Sequence, residues 1–249
     1  MRPWAAGLLT LALLAAPAAA TESIVSGLSQ DTIDITSSYT GTDIVVFGDI
    51  EHPEDTGPRD VVVVVRGPDA SMTVRKKDRI FGIFLNRDQA RLDGMPSYYF
   101  LASTRPVDRL APSYTLQRYS VGLANITPTK TYSHHDAQPF REALVRHKTR
   151  DGLYGESAGG VVFLGPTLFR AQIPVPASVP RGTYTVDVYL FRDGTVLSAQ
   201  STPLYIDQTG LERRLYNFAH GSPLSYGLST VLMAMLLGWL SSVVFRRSE

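Results

Sequence analysis

The sequence predicts a mainly β chain in which strands pack as a sandwich, a partly helical insertion interrupts them, and one apolar helix follows. Three observations predict this. Runs of β-branched residues, above all the five valines Val61–Val65, recur between Pro- and Gly-marked turns. A helix-spaced pattern with charges opposite its apolar side breaks the β character between about 105 and 160. From Leu224 to Phe245 no side chain is ionisable except Tyr226, and a run of about 22 residues makes a helix of roughly 33 Å, enough to cross a bilayer.

Composition bounds the rest. The chain has 249 residues, 24 Lys+Arg against 23 Asp+Glu, and a formal charge of +1. That balance excludes a strongly basic nucleic-acid binder and an acidic disordered tail, so no nucleic-acid partner is expected. At 44% apolar and 10% aromatic residues the chain can build a core. With no Cys, structural disulfides, thiol nucleophiles, zinc–thiolate centres and iron–sulfur clusters are excluded together.

Residues 1–20 read as a signal peptide. Arg2 gives a positive start, Ala5–Ala16 an apolar stretch, Pro17 a break, and Ala18-Ala19-Ala20 small residues for cleavage. The mature chain is expected to begin at Thr21. An uncleaved anchor is the alternative, although about a dozen apolar residues are too few to span some 30 Å of hydrocarbon.

The segment 21–210 follows as the folded head. Thr32–Thr36 alternates like a half-exposed strand. Ile44–Phe47 and Val61–Val65 are continuous apolar runs, the pattern of strands buried on both faces. Glu51–Pro58 is a polar loop, and Gly67-Pro68-Asp69 a turn before Met72–Arg75. Arg75-Lys76-Lys77-Asp78-Arg79 is a basic knot, expected at a hairpin tip, where such charges deter edge pairing or meet anionic headgroups or an acidic partner. Ile80–Leu85 and Tyr98–Ser103 read as further strands.

The insertion opens with a Pro-interrupted, weakly helical stretch, Arg105–Gln117. Its best helix is Pro139–Leu153, with Phe140, Leu144, Val145 and His147 on one face and Gly152 as a stop. Strands return at Val161 and persist to Ile206. Within them, Pro180-Arg181-Gly182-Thr183-Tyr184 matches a tyrosine corner, which makes the expected sandwich immunoglobulin-like. Asp193-Gly194 predicts a tight hairpin, and Pro203 an edge or a bulge. The reading is one sandwich, 23–104 plus 161–207, with two small sandwiches as the other arrangement.

Leu211–Ala219 carries Leu211, Leu215 and Phe218 on one helical side and Glu212, Arg213 and Arg214 on the other. It makes either a short interfacial helix or a plain tether over 211–223. The membrane helix is 224–245, with Tyr226 and Trp239 toward its ends, and 246–249 is a tail led by Arg246-Arg247. Combined with the signal peptide, this order predicts a single-pass protein with an exported head and a cytoplasmic C-terminus.

Several segments together resemble the alphaproteobacterial putative transmembrane protein family. They are the signal peptide, Ile80–Asn86, Phe100–Pro106, Phe140–Leu144, Leu168–Val175, the Pro180–Tyr184 corner and the C-terminal span. The resemblance covers nearly the whole chain, and its motifs are structural. It implies an inner-membrane protein with a periplasmic domain, a bilayer as its first partner, and association with an integral membrane protein such as an exporter. It assigns no activity, cofactor or catalytic residue.

Two clusters invite a chemical reading. Gly155-Glu156-Ser157-Ala158-Gly159 fits the Gly-x-Ser-x-Gly nucleophile elbow, with Asp193, Asp207 and His220 following in the order of a triad. The elbow needs a strand before the serine and a helix after it, whereas here a helical stretch precedes and Val161–Leu164 follows. A Gly/Ser hinge is the reading taken, with a serine hydrolase at Ser157 as an alternative. His134-His135-Asp136, with His147 beyond, offers imidazole and carboxylate ligands for periplasmic copper or zinc. Adjacent His side chains diverge, so a polar loop is expected and a metal-binding module is the alternative. The Asn125-Ile126-Thr127 sequon is read as chance. The function expected is therefore a non-enzymatic, membrane-anchored periplasmic accessory protein, without cofactor, that acts through protein–protein contact.

Overall fold

Val61–Val65 are each at most 1% exposed, and what covers their two sides organises the molecule. The structure is a computed structural model that describes residues 22–36, 38–53, 58–80, 83–208 and 218–245. A four-stranded sheet runs in the order β1 (Ser23–Leu28), β3 (Gly41–Glu51), β11 (Phe169–Pro176), β10 (Val161–Phe163). A six-stranded sheet runs β2 (Thr32–Ile35), β13 (Thr195–Gln208), β12 (Gly182–Arg192), β4 (Arg59–Arg66), β7 (Tyr99–Ser103), β9 (Tyr154–Ala158). Their facing sides share one apolar core, in which Ile44, Val46, Phe169 and Ile173 meet Val186, Val188, Leu190 and Leu204. This is the mainly β sandwich that the sequence predicts.

The valine strand β4 lies centrally, between β12 and β7. One of its sides faces the other sheet. The other is roofed by the segment between β7 and β9, whose Leu110, Leu116, Val121, Ile126 and Leu144 join the same core. A strand with no polar side needs cover on both, and the insertion supplies the second layer. In β3 the expectation differs from the structure: burial alternates there, and Phe47 is 46% exposed. The reason is that among the described residues no segment roofs the four-stranded sheet, so of β3 only Ile44, Val46 and Ile50 reach the core.

The tyrosine corner is present. Tyr184 Oη donates to the Pro180 carbonyl at 2.5 Å, and its ring is buried. Asp193 (φ 48°) and Gly194 (φ 78°) join β12 to β13 in a two-residue turn with both central residues left-handed, which suits the sheet twist. Pro203 lies in the part of β13 that β2 leaves uncovered, since that pairing starts at Tyr205. Its missing N–H therefore costs no ladder bond on that side.

The insertion is partly helical, as the sequence predicts. It holds single 3-10 turns at Val107–Arg109 and Leu123–Asn125, α1 (Ser113–Arg118), β8 (Lys130–Ser133) and α2 (Gln138–Arg150). α2 buries Phe140 and Leu144, but His147, expected on the same side, is exposed. Gly152 (φ 72°) ends the helix in a Schellman arrangement, with Leu153 N–H to Lys148 O at 2.9 Å and Gly152 N–H to Thr149 O at 3.1 Å.

The largest departure lies between β4 and β7. The chain there forms β5 (Asp69–Ile80) and β6 (Ile83–Pro96), an antiparallel ribbon that β8 joins at its base to give a third sheet. The basic knot is thus within β5 rather than at a turn. The ribbon continues the β4–β7 ladder. Arg66 pairs with Tyr99, then Gly67 N–H bonds Tyr98 O at 2.8 Å and Ser97 N–H bonds Pro68 O at 2.9 Å. Asp69 then pairs with Pro96, and the ladder runs on to Ile80 with Ile83.

Among the described residues one helix, α3 (Pro223–Phe245), is long and apolar enough to cross a membrane, and none of its apolar window is buried by the head. The signal-peptide residues, most of the 211–223 segment and the Arg246-Arg247 tail lie outside the described residues.

Candidate functional site

Register places Arg66, Asp187, Tyr99, Leu101 and Glu156 on the roofed side of the six-stranded sheet. Arg66, following the last valine, ion-pairs with Asp187 on β12. Its other nitrogen donates to the carbonyls of Tyr119 at 2.7 Å and Ser120 at 3.3 Å. Asp187 is completed by Ser201 Oγ at 2.5 Å. Burial works against the Arg66 charge, but the hydrogen bond with Tyr189 and the neighbouring Asp187 outweigh it and raise its pKa above the ordinary arginine value. Tyr99 bridges the same turn, donating to Ser120 O at 3.0 Å while accepting from Gly122 N–H at 2.8 Å. A left-handed turn (Ser120 φ 50°, Gly122 φ 99°) is so fixed onto the sheet.

Beyond this clamp the roof and the sheet part. They enclose an open cleft of about 530 Å³ with an apolar floor that includes Leu101, Val107, Leu116 and Leu123. Two carboxylates line it, Asp108 from the insertion and Glu156 from β9. Glu156 also accepts the Leu123 N–H, which ties the second 3-10 turn to the terminal strand. An apolar floor with carboxylates beside it suits an apolar group that carries a positive charge, such as a lysine or arginine side chain.

The sequence reading did not single out Arg66, Asp187 or Glu156 as partners. A signal for the first two existed: a lone acid inside Val186-Asp187-Val188, and a lone base ending five valines, are buried charges that need each other. In the sequence Glu156 stands only as the variable residue of the Ser157 motif.

Ser157 sits in β9, opposite Ala102 of β7, on the side away from Glu156. The strand is followed by Gly159 (φ 78°) and then β10 in the other sheet, so the nucleophile elbow is not formed. Packing accounts for two of the glycines. A Cβ on Gly155 would lie 2.9 Å from the Phe100 ring, and one on Gly160 would lie 2.7 Å from Ser157 Oγ. The expected hinge is accordingly a strand plus a crossover. Asp193 lies in the β12–β13 turn and Asp207 near the end of β13, at opposite ends of one strand pair.

His134, His135 and Asp136 are exposed. His135 Nδ1 lies 3.6 Å from Asp88, Asp136 accepts the Gln138 N–H at 3.0 Å, and His147 Nδ1 lies 3.0 Å from Arg150. Among the described residues no three His, Asp or Glu side chains come together as a metal would require.

The far end of the head holds a third polar cluster. Glu22, 5% exposed, accepts from Arg59 Nε at 3.0 Å and Nη2 at 2.8 Å and also pairs with Arg192. This is the end where β12 and β13 turn, opposite the end from which β13 leads toward α3.

Comparison with known proteins adds a family. The profile described as "Putative transmembrane protein (Alph_Pro_TM)" matches residues 23–247. A search of the curated proteins finds no match. Among solved structures, Spo0M, a sporulation control protein from Bacillus subtilis, is similar at 8% identity and a TM-score of 0.28, over 76% of this chain and 50% of that one. A bacterial adhesin from Mobiluncus mulieris with intramolecular cross-links is similar at 7% identity and a TM-score of 0.27, over 76% of this chain and 58% of that one. The chain thus spans about half the length of either.

Proposed function

The chain belongs to the "Putative transmembrane protein (Alph_Pro_TM)" family, and from that premise we propose that it is a non-catalytic accessory protein whose head binds an envelope or integral membrane protein. Family and apolar helix together make it membrane-anchored. The observation that carries the binding reading is the cleft between Glu156, Leu101 and the 106–125 segment, an open concavity held in shape by the Arg66 clamp. The partner presents an apolar surface with a cation, and an exporter in the same bilayer is the partner class that the resemblance favours.

The head lies outside the inner membrane, the C-terminus is cytoplasmic, and residues 1–20 are removed.

The test is a photo-crosslinking amino acid at Ala124, on the rim of the cleft, in intact cells, followed by purification in mild detergent. One discrete crosslinked membrane or envelope protein, lost on Glu156→Lys, is the expected result. A chain that always runs alone overturns the proposal. Reporter fusions to the head and to the C-terminus check orientation.

A further inference from the structure

The cleft borders the edge of a sheet. β9 is the last strand of the six-stranded sheet, and its one ladder neighbour among the described residues, β7, runs parallel to it. The register of that pair decides which backbone groups are left over. Tyr99 N–H bonds Leu153 O at 3.0 Å, with Tyr99 opposite Tyr154 and Leu101 opposite Glu156. In a parallel ladder, alternate residues of a strand give both N–H and C=O to the same neighbour. On β9 these are Gly155 and Ser157, so the N–H and C=O of Glu156 and Ala158 face outward. Exposure rises along the strand: Tyr154 is buried, whereas Glu156 and Ala158 are exposed.

The opposite side of the sandwich is finished differently. Along β1, an edge of the four-stranded sheet, Ser198 Oγ accepts from Ile24 N–H at 3.2 Å. Gln200 accepts from Ser26 N–H at 2.7 Å and donates to Ser26 O at 3.1 Å. Side chains of β13 thus complete the outward groups of that edge. Among the described residues no group does the same for the backbone of Glu156 or Ala158.

Charge and shape narrow what can pair there. The pleat turns the Glu156 and Ala158 side chains to the roofed side, where both line the cleft together with Asp108. Glu156 is held in place by the Leu123 N–H. A strand laid along β9 would bring the Cβ of its residue opposite Glu156 within about 5 Å of the glutamate's own. A lysine or arginine at that position runs its apolar stem over the floor of Leu101 and Val107 and presents its charge to the carboxylates. A second copy of this chain fits poorly. Antiparallel pairing of two β9 strands about Glu156 sets the two glutamates directly opposite, where like charges repel.

We infer that the partner is recognised by strand addition: an extended segment of the envelope or membrane protein pairs its backbone with Glu156 and Ala158 at the open edge of β9, and a lysine or arginine of that segment enters the cleft. Main-chain bonds supply the affinity and the inward side chain supplies the choice of partner. This rests on the cleft reading given above and adds the mode of binding to it.

The test takes the full chain with the photo-crosslinking amino acid at Ala124. Hydrogen exchange, resolved by residue, is read on the chain alone and on the crosslinked complex. The Glu156 and Ala158 amides are expected to exchange fast in the free chain and to slow in the complex. Those of Gly155 and Ser157, bonded to β7, are protected in both. A pair of variants asks the same of the backbone. Ala158→Pro removes an outward N–H without taking a bond from the β7 ladder, and Ala158→Val adds similar bulk while keeping that N–H. The crosslinked yield should fall about tenfold with proline, the worth of one lost main-chain bond, and stay within about twofold with valine. If the proline variant does not fold, the exchange measurement decides alone. Edge amides as fast in the complex as in the free chain, or equal yields from the two variants, overturn strand addition and leave the cleft partner standing. A crosslink to a second copy of the chain overturns it too. No crosslink at 124 sinks the cleft reading, and strand addition with it.

Discussion

Arg66 on β4 and Asp187 on β12 form an ion pair across neighbouring strands, and the same guanidinium holds the carbonyls of Tyr119 and Ser120. One charge pair thereby joins sheet to roof. Arg66→Leu leaves Asp187 without its cation and the turn without its donor. It should cost about 2–4 kcal/mol, and Asp187→Asn a similar amount, because a lone buried charge remains in each case. The double variant should cost less than the two singles summed. Chemical unfolding of the full chain in detergent measures this, and hydrogen exchange at residues 119–122 should quicken in both single variants.

Tyr184→Phe removes one hydroxyl and leaves the Pro180 carbonyl without its 2.5 Å donor. A loss of about 1–1.5 kcal/mol is expected, with the fold retained. An unchanged midpoint of denaturation would mean that the corner contributes only through its ring.

Tyr98, Tyr99, Tyr154, Tyr184 and Tyr189 all have hydroxyls pushed above the ordinary tyrosine value of 10.0, chiefly by burial. The unfolded chain ionises them near that value while the folded head keeps them neutral. Above about pH 10 the folded state holds more protons, so stability is complete below that pH and declines as pH rises past it. In an alkaline titration, phenolate absorbance from these rings should appear together with the loss of near-ultraviolet dichroism. Ionisation in a head that stays folded would contradict the burial.

Glu22→Ala strips two arginines of their shared carboxylate. A destabilisation of about 3 kcal/mol is expected, together with freer exchange of the β1 amides. N-terminal sequencing of the purified chain should begin at Thr21, one residue before this anchor point.

A fluorophosphonate probe should leave Ser157 unlabelled, with the same background in Ser157→Ala. Labelling that disappears in the variant would restore the hydrolase reading.

Much of this architecture could be read from residues alone, and the reasons differ by element. Val61–Val65, Gly182–Tyr184 and Asp193-Gly194 were legible because each depends on local chemistry: uniform apolar character, a fixed motif, and a turn that needs left-handed residues. The fate of Ile44–Phe47 was not, since exposure there depends on whether a distant segment covers β3, which no local pattern encodes. The ribbon was missed for a similar reason. Arg75–Arg79 reads as a tip because charges usually punctuate strands, whereas here the ladder with β6 continues past them, with a register shift between Lys76 and Lys77. Gly155–Gly160 reads as a hinge because Gly155, Gly159 and Gly160 suggest one, yet two of these glycines answer to neighbouring side chains. The cleft itself is made by residues far apart in the chain, Leu101, Leu116 and Glu156, and spacing alone does not bring them together.

The earliest strands depend on the latest one. β2 lies parallel to β13, with Ile33 beside Ile206, and β1 offers backbone N–H groups to Ser198 and Gln200. Until the chain has been made almost to its membrane helix, both opening strands lack those partners. The nascent head must therefore wait, half-assembled, for its own ending, and any factor that shields exposed strand edges in the meantime has its work concentrated on residues 22–36.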